Sequence, residues 1–295
     1  MFYSPLRYPG GKGKLAPFIG YLIEKLNIEN PIYIEPFAGG AGVALELLLE
    51  EKVETIVIND YDKAIASFWK AILEEPDRFV DMIYNVPITI DEWKHQKEIY
   101  STSLNRYSFE LGFATFYLNR TNRSGIIKGG IIGGLDQQGR WKIDARFNKE
   151  ELIHRVLRIA EFRKNIVVYN KDVTSLIQNY MPKYGKDAFA YFDPPYFEKG
   201  KALYKNYFNY SDHKYIEEQI RENVQCNWII TYDNVPEIKE FYKEYTIREF
   251  NINYSAANRR KASELMIFKN DLLCPTNEEL KREKIKFTLL DEEQV

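Results

Sequence analysis

An α/β fold with a mostly parallel sheet, a late antiparallel strand and an inserted, mainly helical segment is predicted by three observations. Short apolar runs alternate with helix-spaced runs near the N-terminus. That alternation stops near residue 75 and strand signals resume near residue 160. Several strand-like runs also end in acidic or glycine-rich rims, where open α/β sheets hold their ligands.

The elements follow in order. PIYIEPF (31–37) is a short apolar run ending in glycines, and VALELLLEEKV after it reads as a helix. TIVIND (55–60) is a second strand, followed by KAIASFWKAILEE with apolar positions at helical spacing. This β-α-β-α order begins a parallel sheet. Between about 75 and 160 the chain turns to helical segments and a loop rich in glycine and basic residues, NRTNRSGIIKGGIIGG. Strand signals return in NIVVYNKDV, AFAYFDPPY, NWIITYDN, YTIREFNINY and SELMIFKN. The expected organisation is one α/β domain from residues 1–75 and 160–275, an insertion over 76–159, and a charged, peripheral tail over 276–295.

Composition narrows the function classes. At 45% hydrophobic and 28% charged, the 295 residues read as an ordinary globular protein. Lys+Arg 41 against Asp+Glu 43 leaves a formal charge of −2, so any nucleic-acid surface must be a local patch. Two cysteines, Cys226 and Cys274, and three histidines argue against a disulfide framework or a Cys/His zinc site. The N-terminal MFYSPLRYPGGKGK lacks a signal-peptide core and no run is long enough to span a bilayer, so a cytoplasmic location is expected.

The rims carry the chemistry. The first strand ends in Glu35-Pro36-Phe37-Ala38-Gly39-Gly40-Ala41-Gly42. Glycine lets backbone approach a ligand closely, and the next helix offers oriented N–H groups. No Lys-Ser/Thr follows and the G-x-G-x-x-G spacing is absent, so neither a phosphate loop nor a dinucleotide fingerprint is present. Asp60, about twenty residues beyond the glycines, has the spacing of a ribose-binding carboxylate, although a solvated acid or helix cap fits it too. Asp172 closes a third rim and Asp193 a fourth. Asp193-Pro194-Pro195-Tyr196 is the oddest of them, because two prolines leave a stiff extended stub with free carbonyls. Upstream, Tyr8-x-Gly10-Gly11-Lys12 offers a ring face and a cation.

Taken together and in this order, Tyr8-x-Gly10-Gly11-Lys12, Glu35-Pro36-Phe37-x-Gly39, Asn59-Asp60 and Asp193-Pro194-Pro195-Tyr196 resemble the Dam-like family of adenine-specific DNA methyltransferases. The resemblance runs from Arg7 to about Asn270. It departs at Ala41, where many relatives have glycine. It implies a Rossmann-like class I methyltransferase sheet with an inserted target-recognition domain, S-adenosylmethionine (SAM) as cofactor, double-stranded DNA as partner and no metal. It also implies roles for single residues. Tyr8 and Lys12 would contact SAM, Glu35, Phe37 and Gly39 would lie along it, and Asp60 would bind its ribose. Asp172 and the Val173 backbone would read its adenine. Asp193 and the Pro194 carbonyl would accept the target amine's N–H groups, Pro195 would stiffen the stub, and Tyr196 would stack on a flipped base.

Fixed acceptors suit this chemistry, because adenine's exocyclic lone pair is delocalised and must be localised before it can attack a methyl group. DNA contacts are expected from the insertion, where Asn119, Arg120, Asn122, Arg123, Lys128, Arg140, Lys142 and Arg146 gather. A second cluster, Arg259-Arg260-Lys261, lies between two late strand signals. Lys199, Lys201, Tyr204, Lys205, Tyr207 and Phe208 form a loop suited to closing over an extruded nucleotide. The alternatives are amino methylation of cytosine in DNA or adenine in RNA, and a catalytically silent DNA- or SAM-binding module. Asp at the head of the tetrad favours adenine over cytosine, and disfavours glutamine methylation. The sequence leaves the DNA word, a partner restriction endonuclease and the oligomeric state open.

Overall fold

A computed structural model describes residues 3–8, 11–198, 208–251 and 263–290. The strands are β1 (Ile32–Glu35), β2 (Thr55–Asn59), β3 (Ile166–Tyr169), β4 (Ala188–Phe192), β5 (Asn227–Asp233), β6 (Thr246–Asn251), β7 (Ser263–Phe268) and β8 (Leu289–Leu290). They form one eight-stranded sheet in the order β3-β2-β1-β4-β5-β7-β6-β8. The pairs β2–β3, β1–β4 and β4–β5 are parallel. The pairs β5–β7, β7–β6 and β6–β8 are antiparallel. The 3-2-1-4-5 portion is the doubly wound order of a Rossmann-like fold, so the expected sheet is present. β7 is the late antiparallel strand that was expected, and the short β8 runs antiparallel as well. Every residue of β4 is buried, as a strand covered on both faces requires.

The chain divides into two compact units. The first contains residues 1–13, 38–50 and 56–171; the second contains residues 14–37, 51–55 and 172–295.

In the first unit, α2 (Gly42–Leu49) and α3 (Lys63–Glu74) accompany the helices α4 (Pro76–Asn85), α5 (Ile90–Thr102), α6 (Phe109–Thr121) and α7 (Lys149–Glu161). Side-chain caps start four of them: Asp62 for α3, Thr89 for α5, Ser108 for α6 and Asn148 for α7. An aromatic core joins α3 to the inserted helices. The Phe68 ring stacks on Phe116 at 6.1 Å, and Phe79 lies edge-on to Phe113 and Phe116 at 5.3 Å each. Gly112 brings α6 close to α3, since a Cβ there would come within 2.5 Å of the Ser67 carbonyl oxygen. Residues 76–159 thus share a core with α3, whose apolar side chains are buried on more than one face.

In the second unit, α1 (Ala16–Lys25), α8 (Val173–Asn179), α9 (Tyr210–Asn223), α10 (Pro236–Phe241) and α11 (Asn277–Arg282) accompany the remaining strands. The tail is less peripheral than its charge suggested. Phe287 packs on Phe18 at 4.5 Å and on Phe250 at 5.3 Å, and β8 extends the sheet against β6. Of its apolar residues, Leu280 and Leu289 are buried and Ile285, Phe287 and Leu290 half-buried, while most of its charges stay outside.

Candidate active site

Within the first unit, the glycine turn and the second strand end are tied together. The Gly39 N–H donates to Asp60 Oδ2 at 2.9 Å, and the Asp62 N–H donates to Oδ1 at 2.8 Å. The Ala38 N–H reaches the Asn59 carbonyl at 2.9 Å, and Trp69 Nε1 donates to the Gly39 carbonyl at 2.9 Å. Asn170 holds the far side, with Nδ2 on the carbonyls of Asp60 (2.8 Å) and Tyr61 (3.0 Å). Although the Asp60 residue is only half-buried, protein packed around its carboxylate pushes it up to about 7, against the pull of the two N–H donors. The helix cap is Asp62, with Oδ1 on the Ala64 N–H at 2.9 Å. Asp60 therefore is not the cap, and the two donors engage only part of its acceptor capacity.

Gly39 adopts φ +47°, and the Tyr8 ring lies against it so closely that a Cβ would sit 2.6 Å from the ring carbons. Tyr8 is 36% exposed, whereas Lys12 is buried. Ala41, the departure from the family pattern, takes the left-handed conformation at φ 46°, ψ 37°, as the residue before α2. Glycine adopts this conformation without cost, whereas alanine there carries about 1–2 kcal/mol.

Within the second unit, the Asp-Pro-Pro-Tyr segment leaves β4 over the ends of β5 and β7. Thr231 Oγ1 donates to Asp193 Oδ1 at 2.8 Å, and the Tyr191 hydroxyl lies 2.8 Å from the same Thr231 oxygen. Asp233 accepts the N–H groups of Phe197 and Glu198, both at 2.8 Å. Tyr196 Oη donates to Glu264 Oε2 at 2.6 Å. Burial first, and then the negative charges of Asp193 and Glu35, hold the Tyr33 and Tyr191 hydroxyls protonated well above the usual tyrosine range. Glu35 is buried at the end of β1, and Phe37 lies edge-on to Phe208 at 6.1 Å. Asp172 is exposed and caps α8 through Oδ1, on the N–H groups of Thr174 (2.9 Å) and Ser175 (3.4 Å), with Val173 buried behind it.

The expected DNA-contacting residues separate into two groups. Asn119 and Asn122 are fully buried and fold-holding, which corrects their assignment to base edges. Asn119 accepts the Arg7 N–H (2.7 Å) and donates to the carbonyls of Arg7 and Gly125, both at 2.8 Å. Asn122 accepts Trp93 Nε1 (2.7 Å) and donates to the carbonyls of Ile126 and Ile127. Arg120 is 8% exposed, with Nε on the Arg146 carbonyl at 2.7 Å. Burial and the neighbouring cations Arg7 and Arg155 push it down to about 10. Its assignment to DNA contact is corrected in the same way. Arg123, Lys128, Arg140, Lys142 and Arg146 remain exposed, with Arg140 and Arg146 lying over the exposed Trp141 ring at 5.3 and 6.0 Å. Arg259, Arg260 and Lys261, and the loop residues Lys199, Lys201, Tyr204, Lys205 and Tyr207, lie outside the described residues.

Three residues of the second-unit network went unnoticed in the sequence: Thr231, Asp233 and Glu264. Glu264 had a signal, a charged residue inside the apolar run SELMIF, and Asp233 ends NWIITYD as other acids end their strands.

A model of the D12 class N6 adenine-specific DNA methyltransferase family matches residues 8–260. The chain is 25% identical over 204 residues to the Type II methyltransferase M.MjaIII of Methanocaldococcus jannaschii, covering 65% of this chain and 68% of that protein. Among solved structures, the methyltransferase domain of bacterial CtHen1-CN is similar at a TM-score of 0.35 and 10% identity, over 86% of this chain and 97% of that one. The rRNA methyltransferase aviRa of Streptomyces viridochromogenes gives a TM-score of 0.36 and 10% identity, over 90% of this chain and 88% of that one.

Proposed function

This chain belongs to the D12 class N6 adenine-specific DNA methyltransferase family, and from that premise we propose that it transfers a methyl group from SAM to N6 of an adenine flipped out of duplex DNA. The observation that carries this reading is Asp193 at the head of Pro194-Pro195-Tyr196, held from below by the Thr231 hydroxyl. A carboxylate fixed in this way accepts an amine N–H without reorganising, beside the Pro194 carbonyl, which no following proline N–H can compete to orient.

The residues present suit SAM. Asp60 keeps acceptor capacity for ribose hydroxyls, and the turn at Gly39 leaves no room for a side chain. In the first unit, Tyr8, Lys12, Gly39 and Asp60 are the residues that would hold it. When bound, SAM supplies an electrophilic methyl on a sulfonium, a leaving group that needs no protonation. Asp193 and the Pro194 carbonyl localise the amine lone pair, Tyr196 stacks on the base, and the amine proton departs after the new N–C bond has formed.

Residues 76–159 supply target recognition in this reading, with Arg123, Lys128, Arg140, Lys142 and Arg146 on phosphates and base edges. The Type II designation of the Methanocaldococcus relative supports a setting beside a separate restriction endonuclease. No helix among the described residues is long and apolar enough to cross a membrane. The test is tritium transfer from labelled SAM into unmethylated phage DNA, followed by sequencing for methyladenine in a repeated short word. Asp193→Ala should fold by circular dichroism and lose about 100–1,000-fold in rate. A folded Asp193→Ala variant that methylates at the parental rate would make the tetrad a strand terminator and nothing more.

A further inference from the structure

We infer that Glu264 is a positioning residue for methyl transfer, acting through Tyr196. The inference rests on the reading of Tyr196 as the ring that stacks on the extruded base. Tyr196 follows two prolines and is only half-buried, so a bond at its hydroxyl limits how far the ring can turn about χ1. The Glu264 carboxylate supplies that restraint by accepting the phenol O–H in a 2.6 Å bond. Glu264 itself cannot follow the ring. It is 1% exposed and lies in the middle strand of an antiparallel trio, opposite Asp233 on β5 and Phe250 on β6.

The same strand pair grips the rest of the segment. Thr231 and Asp233, two residues apart on one face of β5, hold Asp193 and the backbone N–H groups of Phe197 and Glu198. Asp193 and Tyr196 are thus referred to one rigid frame, and Glu264 supplies a side-chain bond that sets the ring. The phenol hydroxyl therefore has work of its own, apart from the ring face. A glutamate buried in a strand core is costly unless hydrogen-bonded, so its presence at this position calls for such a partner.

The test is a double-mutant cycle on the full chain with Tyr196→Phe, Glu264→Leu, the pair, and Glu264→Gln, whose carbonyl still accepts a phenol proton. Single-turnover transfer from labelled SAM into unmethylated phage DNA is read beside the dissociation constants for SAM and that DNA, and thermal melting is read on every variant. Tyr196→Phe and Glu264→Leu should each slow transfer about 10–100-fold, because misplacing a reacting partner by an ångström costs on that order. SAM affinity should be unchanged, the pair should be no slower than the worse single variant, and Glu264→Gln should recover most of the rate. Multiplicative losses, or a Glu264→Gln variant as slow as Glu264→Leu, would overturn the inference. If Glu264→Leu does not fold, Glu264→Gln and Tyr196→Phe still decide: a parental rate in Tyr196→Phe shows the hydroxyl to be idle. A parental protein that transfers no methyl group fails differently, since it removes the reaction itself, and the role of Glu264 in it, before any variant is compared.

Discussion

Replacing Thr231 with valine removes one hydroxyl and keeps the branched shape, so it isolates the bridge between Tyr191 and Asp193. Both bonds through that oxygen are 2.8 Å. Tyr191 is fully buried, and its hydroxyl would lose this partner with no route to water, at a cost of about 1–3 kcal/mol. Asp193 is half-buried, so solvent replaces part of what it loses there, and the larger effect falls on its position. Without the hydroxyl the carboxylate regains side-chain freedom, and a displacement of about an ångström at a reacting centre costs on the order of 100-fold in rate. The expected outcome is a lower denaturant midpoint at an unchanged slope, a 10–100-fold slower single-turnover transfer, and unaltered SAM affinity. Thr231→Ser should restore both stability and rate. A valine variant that unfolds at the parental midpoint would show that the Tyr191 bond contributes nothing. One that is destabilised but transfers at the parental rate would show that Asp193 is placed by its backbone alone.

Other residues give sharper contrasts between folding and function. Asp60, pushed up to about 7, favours its neutral form in the free protein, so its contribution to stability is fully present below the ordinary 3.8 and is lost as pH rises through about 7. SAM affinity should run the other way, rising through the same window as the ionised acceptor forms, and Asp60→Asn should flatten both curves in calorimetry and melting. Asn119→Ala should destabilise by about 1–3 kcal/mol for the backbone groups it leaves unpaired, whereas Arg123→Ala should leave stability alone and weaken DNA binding with a shallower salt dependence. Ala41→Gly should relieve left-handed strain of about 1–2 kcal/mol, part of it offset by glycine's greater unfolded freedom, so a denaturation midpoint well below the parental value would contradict the geometry.

The parallel half of the sheet was legible because its signals are local. An apolar run, a rim residue and a helix-spaced stretch recur within a few dozen residues, and the acids at positions 60, 172 and 193 follow from that rhythm. The frame beneath Tyr196 was not legible, because it depends on pairing between residues far apart in the chain. Only the antiparallel register that sets Asp233 opposite Glu264 puts that glutamate under the tetrad, 68 positions from the tyrosine it holds. The tail was misread for a related reason: its charge count hid the few apolar residues that dock. The insertion shows the opposite error. Its NRTNR stretch looks like a nucleic-acid loop, yet all of α6 from Leu111 onward is buried, and the polar residues of its last turn satisfy backbone groups inside the fold. Composition identifies a basic stretch, but whether a side chain faces in or out is fixed by helix phase and by what packs around it.

The two prolines of the tetrad make sense only together with Asp233. A proline pair removes two successive N–H donors, so Pro194 and Pro195 cannot be anchored by backbone bonding from their own nitrogens. Neither proline nitrogen can therefore donate to a carbonyl beside the reacting position. A segment so poorly tied would drift, except that the donors after it, on Phe197 and Glu198, converge on the two oxygens of one buried carboxylate. Thr231 fixes the start of the segment, Glu264 its aromatic end and Asp233 its exit. The arrangement serves two demands that usually conflict in a loop, rigidity and accessible acceptors: neighbouring strands supply the rigidity, and the prolines add no N–H donors of their own to compete for the acceptors.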